Sequence, residues 1–168
     1  MNRKEHPRPI FYRKNWLNLN GKWTCDFSKN IKGISTSQIN KKKYSKTINI
    51  PFCPESQLSG IGHTDFIQEI YYQRSFVIPK SWKDKKILLH FGGVDYQSLV
   101  FINKKKVGEN TGGSTPFSID ITSSTDFNST NDLKLYVIDK RCQGSLGPTP
   151  WICSKNDSNL AYLKSEML

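Results

Sequence analysis

Apolar and polar residues alternate with a period of two along most of the chain. In GKWTCDFS, Trp23, Cys25 and Phe27 fall on one face. EIYYQRSFVIP sets Ile70, Tyr72, Phe76 and Ile78 on one side, interrupted by Arg74, with Tyr71, Gln73, Ser75 and Val77 opposite. KILLHFGG aligns Ile87, Leu89 and Phe91; PFSIDI aligns Phe117, Ile119 and Ile121; DLKLYVID aligns Leu133, Leu135 and Val137. Successive side chains of a strand point to opposite faces, so this period predicts strands buried on one side. SLVFIN, ending at Asn103, is apolar on both faces and predicts a central strand covered on both sides.

Turn chemistry separates these runs at Pro79, Asp84, Lys104–Lys106, Gly112-Gly113 and the polar stretch from Ser123 to Asn131. Short strands at this spacing predict an all-β sandwich. The stretch PFCPESQLSGIG, Pro51 to Gly62, has neither period and reads as a long connection between KTINI and EIYYQRSFVIP. Helical spacing is nearly absent until the end of the chain. There DSNLAYLKSEML offers Asp157 or Ser158 as a cap and Leu160, Leu163 and Met167 at helical intervals. The expectation for 140–168 is a loop followed by a short helix or a frayed tail.

Composition narrows the classes. With 168 residues, the chain is long enough for one domain with a real core. Its 12% aromatic share is too high for a disordered chain, although only 36% of residues are hydrophobic. No apolar run approaches the ~20 residues that span a bilayer, so no membrane partner is expected. The basic start, MNRKEHPRPIFYRKNW, is not followed by an apolar stretch, and a cytoplasmic location is the simplest expectation. Cys25, Cys53, Cys142 and Cys153 form no Cys-x-x-Cys pair, and His6, His63 and His90 are scattered. Free thiols and no metal or other cofactor are therefore expected.

The net charge of +11 raises the question of nucleic acid. Three lysine runs, NKKKY (Asn40–Tyr44), WKDKK (Trp82–Lys86) and NKKKV (Asn103–Val107), fall where turns belong. Lysine-rich turns keep sheet proteins soluble and discourage edge pairing. No RNA-recognition aromatic motif or zinc-finger spacing accompanies them, so a solvated surface is the expectation and a polyanion site the alternative.

Catalytic signatures are missing. Glu55, Asp65, Glu69, Asp95, Glu109 and Asp120 sit near strand ends, but nothing in the sequence pairs two of them as a glycosidase would need. No nucleophile elbow, P-loop or dinucleotide fingerprint is present. His90 lies inside an apolar strand and reads as a core or edge histidine.

Five ordered blocks carry a more specific signal. The chain opens with RPIFYRKNWLNLNGKWTCDF, containing the Trp-Leu-x-Leu-Asn-Gly-x-Trp pattern of Trp16, Asn20, Gly21 and Trp23. INIPFCPESQLSGIG follows, with Pro51, Pro54, Ser56, Gly60 and Gly62, then YYQRSFVIP with Arg74. LLHFGGVDYQSLVFIN brings Gly92 and Asp95; VGENTGGSTPFSIDI brings Gly112, Gly113, Pro116, Phe117 and Asp120. From about Arg8 to Asp139 the chain resembles the N-terminal sugar-binding domain of the family 2 glycoside hydrolases, which include β-galactosidases, β-glucuronidases and β-mannosidases.

That resemblance implies a jelly-roll sandwich over 8–139, like galactose-binding domains, whose last strand is missing or replaced in a divergent tail at 140–168. In complete members an Ig-like domain follows, and then a TIM barrel supplies the two catalytic glutamates, so neither Glu55 nor Glu69 matches a catalytic residue. The resemblance also implies that the loop before YYQR can approach the sugar, which makes Asp65, Glu69, Tyr71 and Tyr72 candidate carbohydrate contacts. A family asparagine that touches sugar would fall near Glu69 and is absent. The hairpin Asn-Gly of the family is here Asn103-Lys104. The expected role is an accessory domain associated with carbohydrate or with the remaining domains of a glycosidase, without catalysis of its own. A stand-alone lectin-like module, with Tyr71, Tyr72, Tyr96 and Trp151 as stacking surfaces, is the alternative.

Overall fold

The computed structural model describes residues 15–28 and 35–139. The tail assignment at 140–168 and the residue Trp151 lie outside them. Among the described residues, eight strands and one short α-helix, besides three 3-10 turns, make up the regular structure: β1 (Gly21–Ser28), α1 (Thr36–Lys41), β2 (Lys46–Ile50), β3 (Glu69–Val77), β4 (Leu88–Phe91), β5 (Gln97–Ile102), β6 (Lys105–Thr111), β7 (Phe117–Asp120) and β8 (Thr130–Ile138). They form a six-stranded sheet in the order β2-β1-β3-β8-β5-β6 and a two-stranded sheet, β4-β7. Every strand pairing within the sheets is antiparallel. Among the described residues no helix is long and apolar enough to cross a membrane.

The alternation seen in the sequence becomes the core. Trp23, Cys25, Ile70, Tyr72, Phe76, Val100, Ile102, Leu133, Leu135 and Val137 from the larger sheet pack with Leu89, Phe91, Ile119 and Ile121 from around the smaller one. Each fully buried aliphatic side chain of this kind contributes roughly 1.5–3 kcal/mol. Trp23 is anchored as well as buried, its indole Nε1 donating to the Leu19 carbonyl at 2.7 Å. Phe117 stacks on Phe91 with centroids 4.8 Å apart, and Asp120 holds the next turn by accepting from the Thr122 amide and hydroxyl.

The larger sheet is covered on its other face too. Tyr71, Phe101 and Tyr136 point away from the main core and are buried with Ile39 of α1. This is the two-sided burial expected of the central strand β5. The helix has only six residues, too few for a period to show, but its start is encoded. Ser35 accepts from the Gln38 amide at 3.3 Å while Gln38 accepts from the Ser35 amide at 2.9 Å, a reciprocal capping box. Its other end is held by a buried lysine of β8: Lys134 Nζ donates to the carbonyls of Asn40 (2.7 Å) and Ile39 (3.4 Å).

The hairpin β5–β6 turns through two residues of positive φ, Asn103 (48°) and Lys104 (71°). The family's glycine would suit the second position, and this chain places a lysine there. Asn103 compensates through its side chain, accepting from the Asp132 amide at 2.9 Å and donating to the buried Asn131 at 2.8 Å.

Candidate carbohydrate-associated surface

The stretch after β2 is a crossover that spans the sheet. Ile50 pairs with Gly21 at one end of β1, whereas Glu69 pairs with Ser28 at the other. Strands β2 and β3 therefore run parallel on either side of β1, and residues 51–68 return along the core face. Ile67 joins the main core on the way, and Ile61 packs against it.

Local bonds fix this path. Ser56 caps a 3-10 turn at Gln57–Ser59 by accepting from the Leu58 amide at 3.2 Å. Buried Ser59 donates to the Ser56 carbonyl at 2.7 Å and accepts from the Ile61 amide at 3.1 Å. Gly60 ends the turn with φ +82°, a conformation that disfavours a side chain. The His63 amide closes back onto the Pro54 carbonyl at 2.9 Å, and its ring lies 4.7 Å from that of Phe27. Pro51 follows a cis peptide bond. The signature prolines, Ser56 and glycines thus shape a backbone path. Leu58 and Phe66 remain exposed at 64% and 39%, beside exposed Asp65.

The carbohydrate-contact candidates separate under the structure. Asp65 is on the surface. Glu69, Tyr71 and Tyr72 are instead buried to within 1% of complete. Glu69 accepts from the Tyr136 hydroxyl at 2.6 Å and from Tyr71 at 3.0 Å, one on each carboxylate oxygen. The two tyrosine rings stack at 4.7 Å, and Lys42 Nζ stands 4.3 Å above the Tyr71 ring while pairing with Asp26 at 3.0 Å. Burial, with the Glu69 hydrogen bond adding to it, pushes both phenols above their ordinary range. Tyr72 faces the main core, and burial raises its phenol well above the ordinary range too. Neither tyrosine presents a ring face to a sugar, and both oxygens of Glu69 are engaged internally. In this fold these three side chains are packed inside rather than turned to solvent. Their alternation pattern was right, but at Tyr71 the outer face of β3 packs with Ile39 of α1, while Ser75 and Val77 farther along that face stay exposed.

Other signature residues serve the architecture. Arg74 donates to the Lys22 carbonyl across the sheet. Gly93, after Gly92, approaches Gly113 so closely that a Cβ would stand 2.7 Å from the Gly113 carbonyl oxygen. Gly113 in turn lies against Asp95, where a Cβ would meet the carboxylate at 2.7 Å. Trp16, Asn20 and Gly21 lead into β1, and Gly112 and exposed Pro116 lead into β7. Tyr96 is exposed at 43%, unlike the other aromatic candidates described.

The remaining carboxylates are distributed in the same manner. Glu109 pairs with Lys106 at 2.7 Å, and Asp120 lies below the usual carboxylate range because Thr122 donates to it, aided by Lys86. His90, on the edge of the smaller sheet, meets the Ser118 hydroxyl through Nδ1. Among the described residues no three His, Cys, Asp or Glu side chains gather in a group that could hold a metal.

A β-glucuronidase of Bacteroides fragilis is 28% identical over 116 residues, covering 68% of this chain but 15% of that enzyme. A β-galactosidase of Thermoanaerobacter pseudethanolicus is 33% identical over 78 residues, 46% of this chain and 10% of that enzyme. A β-glucuronidase from Ruminococcus gnavus solved with uronic deoxynojirimycin superposes with TM-score 0.65 at 20% identity, over 74% of this chain and 22% of that one. The chain thus spans under a quarter of these proteins, in their β-sandwich fold. The family model described as "Glycosyl hydrolases family 2, sugar binding domain" matches residues 12–141, and the chain belongs to that family.

Proposed function

We propose that this chain acts as the non-catalytic jelly-roll domain of a β-glycosidase that hydrolyses terminal β-linked sugars, glucuronides or galactosides being the first candidates. The observation that carries the reading is the family match over residues 12–141, set against coverage of only 15% of the Bacteroides fragilis relative. The domain's own chemistry is consistent with it. Glu69 is sealed by two tyrosines, and Glu109 and Asp120 are committed to neighbours. A retaining glycosidase needs two carboxyl groups about 5–5.5 Å apart across the scissile bond, and that work is assigned to the remaining domains of the enzyme.

The lectin-like alternative loses its main support, because Tyr71 and Tyr72 are inside. The test is direct. Purified chain is incubated with 4-nitrophenyl β-glucuronide and 4-nitrophenyl β-galactoside, and release of nitrophenol is followed against buffer. No release is expected; turnover that survives repurification would sink the non-catalytic reading.

A further inference from the structure

Two connections are fastened together at one end of the sandwich: 92–97, leading from β4 into β5, and 111–116, leading from β6 into β7. The Gly112 amide donates to the Tyr96 carbonyl at 2.9 Å, one step beyond the Gln97–Thr111 pair of the β5–β6 ladder. Gly93 packs on the Gly113 carbonyl, and the Asp95 carboxylate lies against Gly113. These contacts fix the backbone around Tyr96, yet its ring is exposed, whereas Tyr71, Tyr72 and Tyr136 are all inside.

Residues directly opposite in an antiparallel pair share a face, so a side chain at 112 would flank the Tyr96 ring. The residue there is glycine, and a Cβ built on it would meet nothing within 4 Å. That flank of the ring is therefore open. Short polar groups stand around it. Ser114 and Thr115 are exposed, and among the described residues no hydrogen bond engages their hydroxyls. Asn110 is half-buried and donates from Nδ2 to the Gly112 carbonyl at 3.3 Å. Although the chain carries a net charge of +11, no lysine or arginine occurs from Ile87 to Asn103 or from Val107 to Leu133.

We propose that Tyr96 and the 111–116 turn form a binding subsite for a neutral sugar, the ring stacking on the apolar face of a pyranose while Ser114, Thr115 and Asn110 bond its hydroxyls. Two connections without a cation offer nothing to a uronate carboxylate, which sets the class as neutral. The match to a sugar-binding domain favours a glycan over an apolar peptide. Phe66, the other exposed aromatic among the described residues, lies on the crossover, on the far side of β8: Glu69 and Gln97 both pair with Ile138. Hydrolysis of nitrophenyl glycosides by the chain would bear on the non-catalytic reading and leave the subsite untouched.

The whole chain is titrated calorimetrically with β-1,4-linked tetrasaccharides of galactose, glucose and mannose, and with tetragalacturonate as the charged counterpart. Saturable binding is expected for at least one neutral tetrasaccharide, with tetragalacturonate at least about tenfold weaker. Tyr96→Ala should weaken the neutral ligand at least about tenfold, and Tyr96→Phe, which keeps the ring, by no more than about threefold. Phe66→Ala should leave binding within about twofold. Tyr96 is on the surface, so the urea midpoint of Tyr96→Ala should match the parent's. Ser114→Ala combined with Thr115→Val, confined to exposed side chains, probes the same subsite from its other side and should cost about threefold. The subsite is overturned by no saturable binding of any neutral tetrasaccharide, or by unchanged affinity in Tyr96→Ala and the double variant. A loss in Phe66→Ala as large as in Tyr96→Ala, or tighter binding of tetragalacturonate, would overturn it as well.

Discussion

The two faces of the larger sheet are built by different chemistry. The inner face is aliphatic and aromatic, with Leu133, Leu135, Val100, Ile102 and Trp23 meeting the smaller sheet and the crossover. The outer face is half polar: Tyr71, Phe101 and Tyr136 are buried under α1, and Glu69 and Lys134 are buried with polar partners around them. An inner face is stabilised by area removed from water and is insensitive to direction. The outer face has to satisfy each buried donor and acceptor individually, since an unmade hydrogen bond costs about 1–3 kcal/mol. The comparison teaches that the polar cover is a second, specified core rather than decoration.

The largest effect belongs to the inner face. Leu135, at 1% exposure in the middle of β8, leaves a cavity when truncated. Leu135→Ala should lower unfolding free energy by about 3 kcal/mol, read from urea denaturation. If the outer face is a true core, Glu69→Ala should come close behind, at about 2 kcal/mol, because the Tyr71 and Tyr136 hydroxyls both lose their acceptor. A loss below about 0.5 kcal/mol would mean that those hydroxyls reach water, and the outer face would then be ordinary surface. Lys134→Met keeps the apolar stem and removes two bonds to the end of α1. Its expected cost is about 1 kcal/mol, with amide exchange speeded at Ile39 of α1 and unchanged in the sheet.

The same contrast explains what could be read from the sequence. Period two located the strands and put Trp23, Tyr72, Leu89, Ile119 and Leu135 in one core, because burial by area leaves a plain trace in residue type. SLVFIN announced two-sided burial for the same reason. The outer core was illegible because its members look amphipathic: Tyr71, on the same face of its strand as Gln73 and Ser75, reads as a surface ring. The cover that decides the matter, α1, is too short to show a period, and its start rests on the Ser35–Gln38 capping box alone. Glu69 and Tyr71 lie under that cover and Tyr72 in the main core, positions their residue types do not announce, and the close approach of Gly93 to Gly113 is likewise a matter of the folded backbone. The junction between the end of α1 and the β5–β6 turn could not be seen at all, since it depends on one side-chain bond, from Asn40 to the Lys104 carbonyl.

A smaller effect distinguishes the faces by pH. Cys25 lies fully inside the inner core, where burial pushes its thiol up to about 12 from an ordinary 9.0. In the unfolded chain this thiol ionises as pH passes 9, whereas in the folded chain it stays protonated. The unfolded state then binds fewer protons, so stability falls as pH rises, and the Cys25 contribution is fully present only below about 9. Between roughly pH 8 and pH 9.5 this one group should remove about 0.8 kcal/mol. The buried phenols Tyr71, Tyr72 and Tyr136, all raised, add to the decline only above about pH 10, where an unfolded tyrosine begins to ionise. Cys25→Ala should therefore flatten the stability profile between pH 8 and 9.5 and leave the steeper fall above pH 10 in place. Denaturation midpoints of the two proteins at matched pH measure it. A variant whose slope below pH 10 equals the parent's would show that Cys25 ionises as readily folded as unfolded, and that the inner face admits water along β1.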